Sequence, residues 1–179
     1  CNTIGKRSKT INNEGQATTY EYDANGNLAK TTYFDGTYET YTYDPNGNKL
    51  THTDKEGVTK EYQYDSRDRV VAVRLRQGSG AMLISRTGYN LLGQVTSETD
   101  ANGNSSFYEY DDAGRKVLER NALGHETTYQ YDAVGNVRFV TGPNGQTVEY
   151  VYDEAGRKTN TIYPDGTRDQ VTYDKLGRV

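Results

Sequence analysis

Polar and apolar positions alternate with a period of two in short bursts along this chain, and glycines separate the bursts. Thr37-Tyr38-Glu39-Thr40-Tyr41-Thr42-Tyr43 is typical, lying between Gly36 and Gly47 and built from β-branched and aromatic residues. Such residues favour strands, and a period of two sends successive side chains to opposite faces. Segments this short between glycines cannot form packed helices. The pattern predicts an all-β chain.

The bursts are copies of one another. Tyr-Asp recurs at Tyr22-Asp23, Tyr43-Asp44, Tyr64-Asp65, Tyr110-Asp111, Tyr131-Asp132, Tyr152-Asp153 and Tyr173-Asp174, with Tyr89-Asn90 in the remaining place. Successive tyrosines are 21 residues apart, except for a step of 25 between Tyr64 and Tyr89. Four residues after each tyrosine stands Gly26, Gly47, Gly93, Gly114, Gly135, Gly156 or Gly177, with Asp68 the one exception. Stepping back from Tyr22 reaches Cys1-Asn2, with Gly5 in the glycine place, so a degenerate copy opens the chain. A second series, Gly15, Gly36, Gly57, Gly78, Gly103, Gly124, Gly145 and Gly166, brings sixteen of the nineteen glycines into two periodic slots. Tyr20, Tyr41, Tyr62, Tyr108, Tyr129 and Tyr150 each precede a Tyr-Asp tyrosine by two residues.

Asn-Gly and Asp-Gly at these places, as in Asn25-Gly26 and Asp35-Gly36, supply the positive φ that tight turns need. Each unit is then a two-stranded hairpin. Consecutive hairpins make a continuous antiparallel β-hairpin ribbon of about seventeen strands, a single array over residues 1–179 of about eight and a half units, curved or spiralling toward a shell or barrel as long sheets do. Two units would also match the size of a propeller blade, but successive units are alike rather than alternating in character. Tyr20 and Tyr22 share one face and Glu21 and Asp23 the other, so the tyrosines form two rows across the ribbon. Each Asp after a Tyr opens a turn, where its carboxylate can accept backbone N–H groups.

One unit departs from the pattern. Residues 79–88 separate Gly78 from Tyr89, ten residues where other units have six, and they include Ala81-Met82-Leu83-Ile84. Either the hairpin is longer in both arms or a bulge protrudes. Structural variation is the first reading and a contact site for a partner or cargo the second.

Composition narrows the function. Leu, Ile, Val and Phe make up 29 of 179 residues, about 16%, a fraction that elsewhere accompanies disorder. Here net charge is only −4 and seventeen tyrosines supply apolar surface. With 21 Lys+Arg against 25 Asp+Glu there is no basic excess for nucleic acid. No run is apolar enough for membrane insertion. Asp23-Ala24-Asn25-Gly26-Asn27 echoes part of a calcium loop, but the flanks are strands, and Gly114-Arg115 and Gly156-Arg157 put a cation at the ligand place. His52 and His125 occupy different slots, and neither has a recurring Ser, Cys or carboxylate partner, so solvated histidines are expected. Cys1 reads as a spectator. No enzymatic activity, cofactor or metal is expected.

Tyr-Asp-x-x-Gly-Asn/Arg, preceded by Tyr-x and followed by a mid-unit Asn/Asp-Gly, resembles the YD repeats of the Rhs and teneurin family. The strongest copies are Tyr110-Asp111-Asp112-Ala113-Gly114-Arg115, Tyr152-Asp153-Glu154-Ala155-Gly156-Arg157 and Tyr173-Asp174-Lys175-Leu176-Gly177-Arg178. The resemblance covers essentially the whole chain and implies a segment of a hollow shell, part of a much larger secreted or surface-displayed protein, bacterial by its turn chemistry. Its partners would be the remaining repeats and an enclosed C-terminal toxin or other cargo polypeptide. The family's self-cleaving core has no counterpart here, so no catalytic residue is carried over. A rival reading makes the chain a cell-surface adhesin, with Tyr20, Tyr41, Tyr62, Tyr108, Tyr129 and Tyr150 as a platform on which carbohydrate stacks. The isolated ribbon is also expected to self-associate through its strand edges.

Overall fold

A computed structural model describes residues 5–78 and 80–179. The degenerate opening at Cys1 and the first residue of the irregular segment, Ser79, lie outside the described residues. Among the described residues sixteen strands follow in chain order across one sheet, each hydrogen-bonded to the next. The first eight are β1 (Lys9–Ile11), β2 (Ala17–Tyr22), β3 (Leu28–Thr32), β4 (Tyr38–Tyr43), β5 (Lys49–Thr53), β6 (Thr59–Tyr64), β7 (Val70–Gln77) and β8 (Gly80–Tyr89). The others are β9 (Val95–Thr99), β10 (Ser105–Tyr110), β11 (Lys116–Arg120), β12 (Glu126–Tyr131), β13 (Val137–Thr141), β14 (Thr147–Tyr152), β15 (Lys158–Ile162) and β16 (Arg168–Gln170). About seventeen were expected. The opening copy before Gly5 lies outside the described residues, and in the last burst the ladder covers Arg168–Gln170, with the Val171 amide donating to the Thr159 carbonyl at 2.8 Å.

Contacts divide the chain into two compact units, Cys1–Thr87 with Thr99–Gly103, and Gly88–Glu98 with Asn104–Val179. Each is built by the same rule. Among the described residues the sixteen periodic glycines have positive φ, and the other three do not. At Asp23–Gly26 the Gly26 amide donates to the Asp23 carbonyl at 3.0 Å and the Asp23 amide to the Asn27 carbonyl at 2.8 Å. Only the fourth residue has positive φ, 83° at Gly26. This is a type I turn followed by a left-handed residue, the usual three-residue hairpin loop. Asp68 fills the same place with φ 60°, the only non-glycine to do so among the described residues.

A second irregularity recurs beside six of the seven Tyr-Asp turns. Glu21 pairs with Lys30 but Tyr22 with Leu28, leaving Ala29 as an extra residue. Leu50, Val71, Val117, Arg138 and Thr159 are left over in the same way. The bulge sits on the strand after the turn, so the alternation of the tyrosine strand is undisturbed. In β2 Tyr20 and Tyr22 are half-buried and Glu21 is exposed.

The irregular unit combines both readings of its sequence. β7 has 8 residues and β8 has 10, against five or six in the regular strands. A bulge lies within it as well, since Val73 pairs with Ser85 and Arg74 with Leu83. Little of the chain is fully buried. Ala72 at 3%, Thr31 at 5% and Thr161 at 9% are the buried side chains among the described residues. Cross-strand pairs and turn hydrogen bonds therefore carry the stability that a packed core supplies elsewhere.

Candidate functional site

The repeat's own chemistry centres on its turns. Asp111 Oδ1 accepts the amides of Ala113 at 3.0 Å and Arg115 at 2.9 Å, and its Oδ2 accepts Arg115 Nε at 2.8 Å. Arg115 Nη2 lies 2.7 Å from the same oxygen. Asp65, Asp153 and Asp174 are held in the same way by Arg69, Arg157 and Arg178. At Asp23, Asp44 and Asp132 an asparagine replaces the arginine, and Asn27, Asn48 and Asn136 donate Nδ2 to the second carboxylate oxygen. Asn90 does the work with an amide: Oδ1 accepts the Leu92 and Gln94 amides, and Nδ2 donates to Gln94 Oε1 at 2.8 Å. Donors that favour the charged form depress a carboxyl pKa. The Arg69 side chain, with the Arg67 and Arg69 amides, draws Asp65 down to about 2, and the Arg115 side chain holds Asp111 below the ordinary carboxyl value. Protein donors already engage these oxygens, so each carboxylate works as a turn clamp.

In six of the seven Tyr-Asp pairs the tyrosine ties its turn to chain that comes earlier. Tyr22, Tyr64, Tyr110, Tyr131, Tyr152 and Tyr173 each donate their phenol to the carbonyl fifteen residues back, on Arg7, Lys49, Val95, Lys116, Val137 and Lys158. The residue following the turn glycine reaches toward the next such turn. Gln94 Nε2 donates to the Gly114 carbonyl at 2.7 Å, and Lys6 Nζ to the Gly26 carbonyl. The Arg115 and Arg157 guanidiniums lie 4.5 and 4.6 Å from the ring centroids of Tyr131 and Tyr173. Where Asp68 replaces glycine, its Oδ1 accepts Asn46 Nδ2 at 3.0 Å and Asn48 Nδ2 at 2.6 Å. Nothing in the Tyr-Asp pattern announced these links, because a backbone carbonyl leaves no mark on the side-chain sequence.

The other tyrosine row is not a stack of rings. Among the described residues the one close ring pair is Tyr41 with His52, centroids 4.8 Å apart and 11° from parallel. Cations lie over five rings of this row, Lys49 near Tyr41, Lys60 near Tyr62, Lys116 near both Tyr108 and Tyr129, and Lys158 near Tyr150. Tyr20 meets Thr10 through its phenol at 3.1 Å.

His52 corrects the expectation of a solvated side chain. Its Nε2 lies 2.8 Å from Glu39 Oε2, which also accepts the Tyr41 phenol at 2.8 Å, while Glu39 Oε1 accepts Tyr33 at 2.9 Å. The cross-strand pairs Thr31 with Glu39 and Tyr41 with His52 assemble this cluster. The Tyr41 and His52 donors lower the Glu39 carboxyl, and burial with the Glu39 charge pushes Tyr41 up to about 12. His125 sits in an exposed turn, its amide bound to Asn121 Oδ1 at 3.0 Å. At the irregular hairpin Val58, Leu75 and Met82 line a shallow groove, with Met82 60% exposed.

Tandem hairpins with one Tyr-Asp clamp per unit define an all-β repeat protein whose strands pair in chain order. The teneurin YD-shell family matches residues 2–125 and the RHS repeat family residues 131–168. The chain belongs to the teneurin YD-shell family. Among solved structures, one of TcdB2-TccC3 without its hypervariable C-terminal region is 15% identical, with a TM-score of 0.50 over 95% of this chain and 12% of that one. TcdB2-TccC3-TEV is 16% identical, with a TM-score of 0.49 over 90% of this chain and 11% of that one. A Photorhabdus luminescens Tc holotoxin pore is 14% identical, with a TM-score of 0.46 over 91% of this chain and 12% of that one. The chain thus spans about 12% of the length of such structures. No curated protein matches the sequence.

Proposed function

We propose that the chain is a wall segment of a YD-repeat shell that encloses a cargo polypeptide within a secreted or surface-displayed bacterial protein. Its role is structural, without catalysis. The observation that carries this reading is the unbroken series of clamps from Asp23 to Asp174, each turn tied within itself and many tied to a neighbouring unit. Such a series spends its polar groups on holding a ribbon in register. The ring faces that a sugar would need are partly taken by Lys49, Lys116 and Lys158, which favours the wall over the glycan platform. Similarity to a toxin-complex protein described by its hypervariable C-terminal region suggests what a shell of this kind surrounds.

Protease protection on the full-length natural protein carrying these repeats tests the reading. The region following the repeats should resist digestion in the wild type and become sensitive when Tyr64→Ala and Tyr131→Ala loosen the ribbon. Equal digestion of that region in both proteins would overturn it.

A further inference from the structure

Four turns carry Asn-Gly at their third and fourth positions: Asn25-Gly26, Asn46-Gly47, Asn102-Gly103 and Asn144-Gly145. Asparagine before glycine is chemically labile, because the glycine amide has no neighbouring side chain to hinder its attack on the asparagine carboxamide. The four share that dipeptide but not its surroundings. In each turn the glycine amide already donates to a carbonyl, Gly26 to Asp23, Gly47 to Asp44, Gly103 to Asp100 and Gly145 to Gly142, at 2.9 to 3.1 Å. That restraint is common to all four, so the carboxamides decide the order.

Two of them are held. Asn46 Nδ2 donates to Asp68 Oδ1 at 3.0 Å. Asn144 is fixed at both ends, Nδ2 donating to Gln146 Oε1 at 3.0 Å and Oδ1 accepting the Gln146 amide at 3.1 Å. The Asn25 carboxamide makes no hydrogen bond among the described residues, but its Gly26 is buried, with the Gly26 carbonyl capped by Lys6 Nζ. At Asn102 the carboxamide makes no such bond, and Asn102 and Gly103 are both exposed. A Cβ added to Gly103 would meet nothing within 4 Å, so its surroundings are open.

We infer that Asn102-Gly103 is a self-modifying site, at which the folded chain deamidates ahead of its three sister turns. Hydroxide removes the Gly103 amide proton, and the nitrogen attacks Asn102 Cγ. The new N–C bond closes a succinimide as the Cγ–Nδ2 bond breaks and ammonia leaves with the proton. Water then opens the ring at either carbonyl, leaving aspartate or isoaspartate and no change of oxidation state. The isoaspartate product adds a methylene to the main chain inside the turn, which displaces the Gly103 amide from the Asp100 carbonyl it binds at 3.1 Å.

Peptide mapping by mass spectrometry, with isoaspartate detection, after incubation of the folded protein at mildly alkaline pH is the test. Asn102 should convert several-fold faster than Asn46 and Asn144, with Asn25 between them. In denaturant the four rates should converge, since the dipeptide is the same. Asp68→Gly, which removes the acceptor of Asn46 Nδ2, should accelerate Asn46 while leaving Asn102 unchanged. Conversion of Asn46 or Asn144 at the rate of Asn102 in the folded protein, or the same spread of rates in denaturant, would overturn the inference.

Discussion

The phenol of Tyr64 donates to the backbone carbonyl of Lys49 at 2.9 Å, beyond the last ladder pair of β5 with β6, Thr51 with Glu61. The tyrosine thus completes the sheet where the ladder stops, joining one Tyr-Asp turn to the strand that leaves the turn before it. Tyr64→Phe keeps the ring and removes this bond. It should lower unfolding stability by about 1 kcal/mol, read from the urea midpoint. Tyr38→Phe, at a ring 53% exposed, should change it by less than about 0.5 kcal/mol. Equal effects at the two sites would show that the phenol bond contributes nothing.

The turn carboxylates make the fold acid-sensitive in a defined direction. Asp65, Asp111 and Asp153 are depressed by their arginine partners first. A folded-state pKa below the unfolded one adds stability that is present above the unfolded value and is lost as pH falls through the folded one. The urea midpoint should therefore fall between the ordinary 3.8 and the value of about 2 held by Asp65. Asp65→Asn with Asp111→Asn should lower the midpoint at neutral pH and flatten this acid limb. An unchanged limb would mean that the clamps do not couple to folding.

Asp68 carries two opposed effects, a left-handed backbone at φ 60° and a carboxylate serving Asn46 and Asn48. Asp68→Gly relieves the first and loses the second. Asp68→Ala keeps the strain and loses the bonds, so it should be the less stable variant by about 1 kcal/mol. Thermal or urea unfolding of the pair decides, and the reverse order would place the turn's stability elsewhere.

Tyr41 reports the Glu39 cluster by absorbance. Its phenol is raised to about 12 by burial and by the Glu39 hydrogen bond. A raised phenol adds stability present below the unfolded value of 10.0 and lost as pH climbs through the folded one. Glu39→Gln should bring the latest-titrating tyrosine part of the way back, because burial remains. A spectrophotometric titration identical to the wild type would disconnect Glu39 from Tyr41.

The turns were legible because glycine at a fixed interval has one strong physical use, and the aspartates because their carboxylates bond within four residues. The bulges at Ala29 and Leu50 were not, since a left-over residue needs no particular side chain. That omission hides the cross-strand register, and the register is what sets His52 against Glu39 and Tyr41. The length of β7 and β8 was visible as extra residues, but both the extension and the bulge proved to be present. Phenols bound to carbonyls stayed invisible for the reason that makes them tolerant: any residue can stand at Lys49 or Val95 and still offer its oxygen.

Every one of those phenol bonds points the same way along the chain. Tyr131 reaches Lys116 and Tyr152 reaches Val137, each finding its acceptor in residues that leave the ribosome earlier. A hairpin therefore arrives with its phenol ready for what has already been made, while side chains such as Lys6 and Gln94 wait for the turn that follows. Growth of the ribbon can keep pace with translation, each new pair of strands latching onto a finished rim.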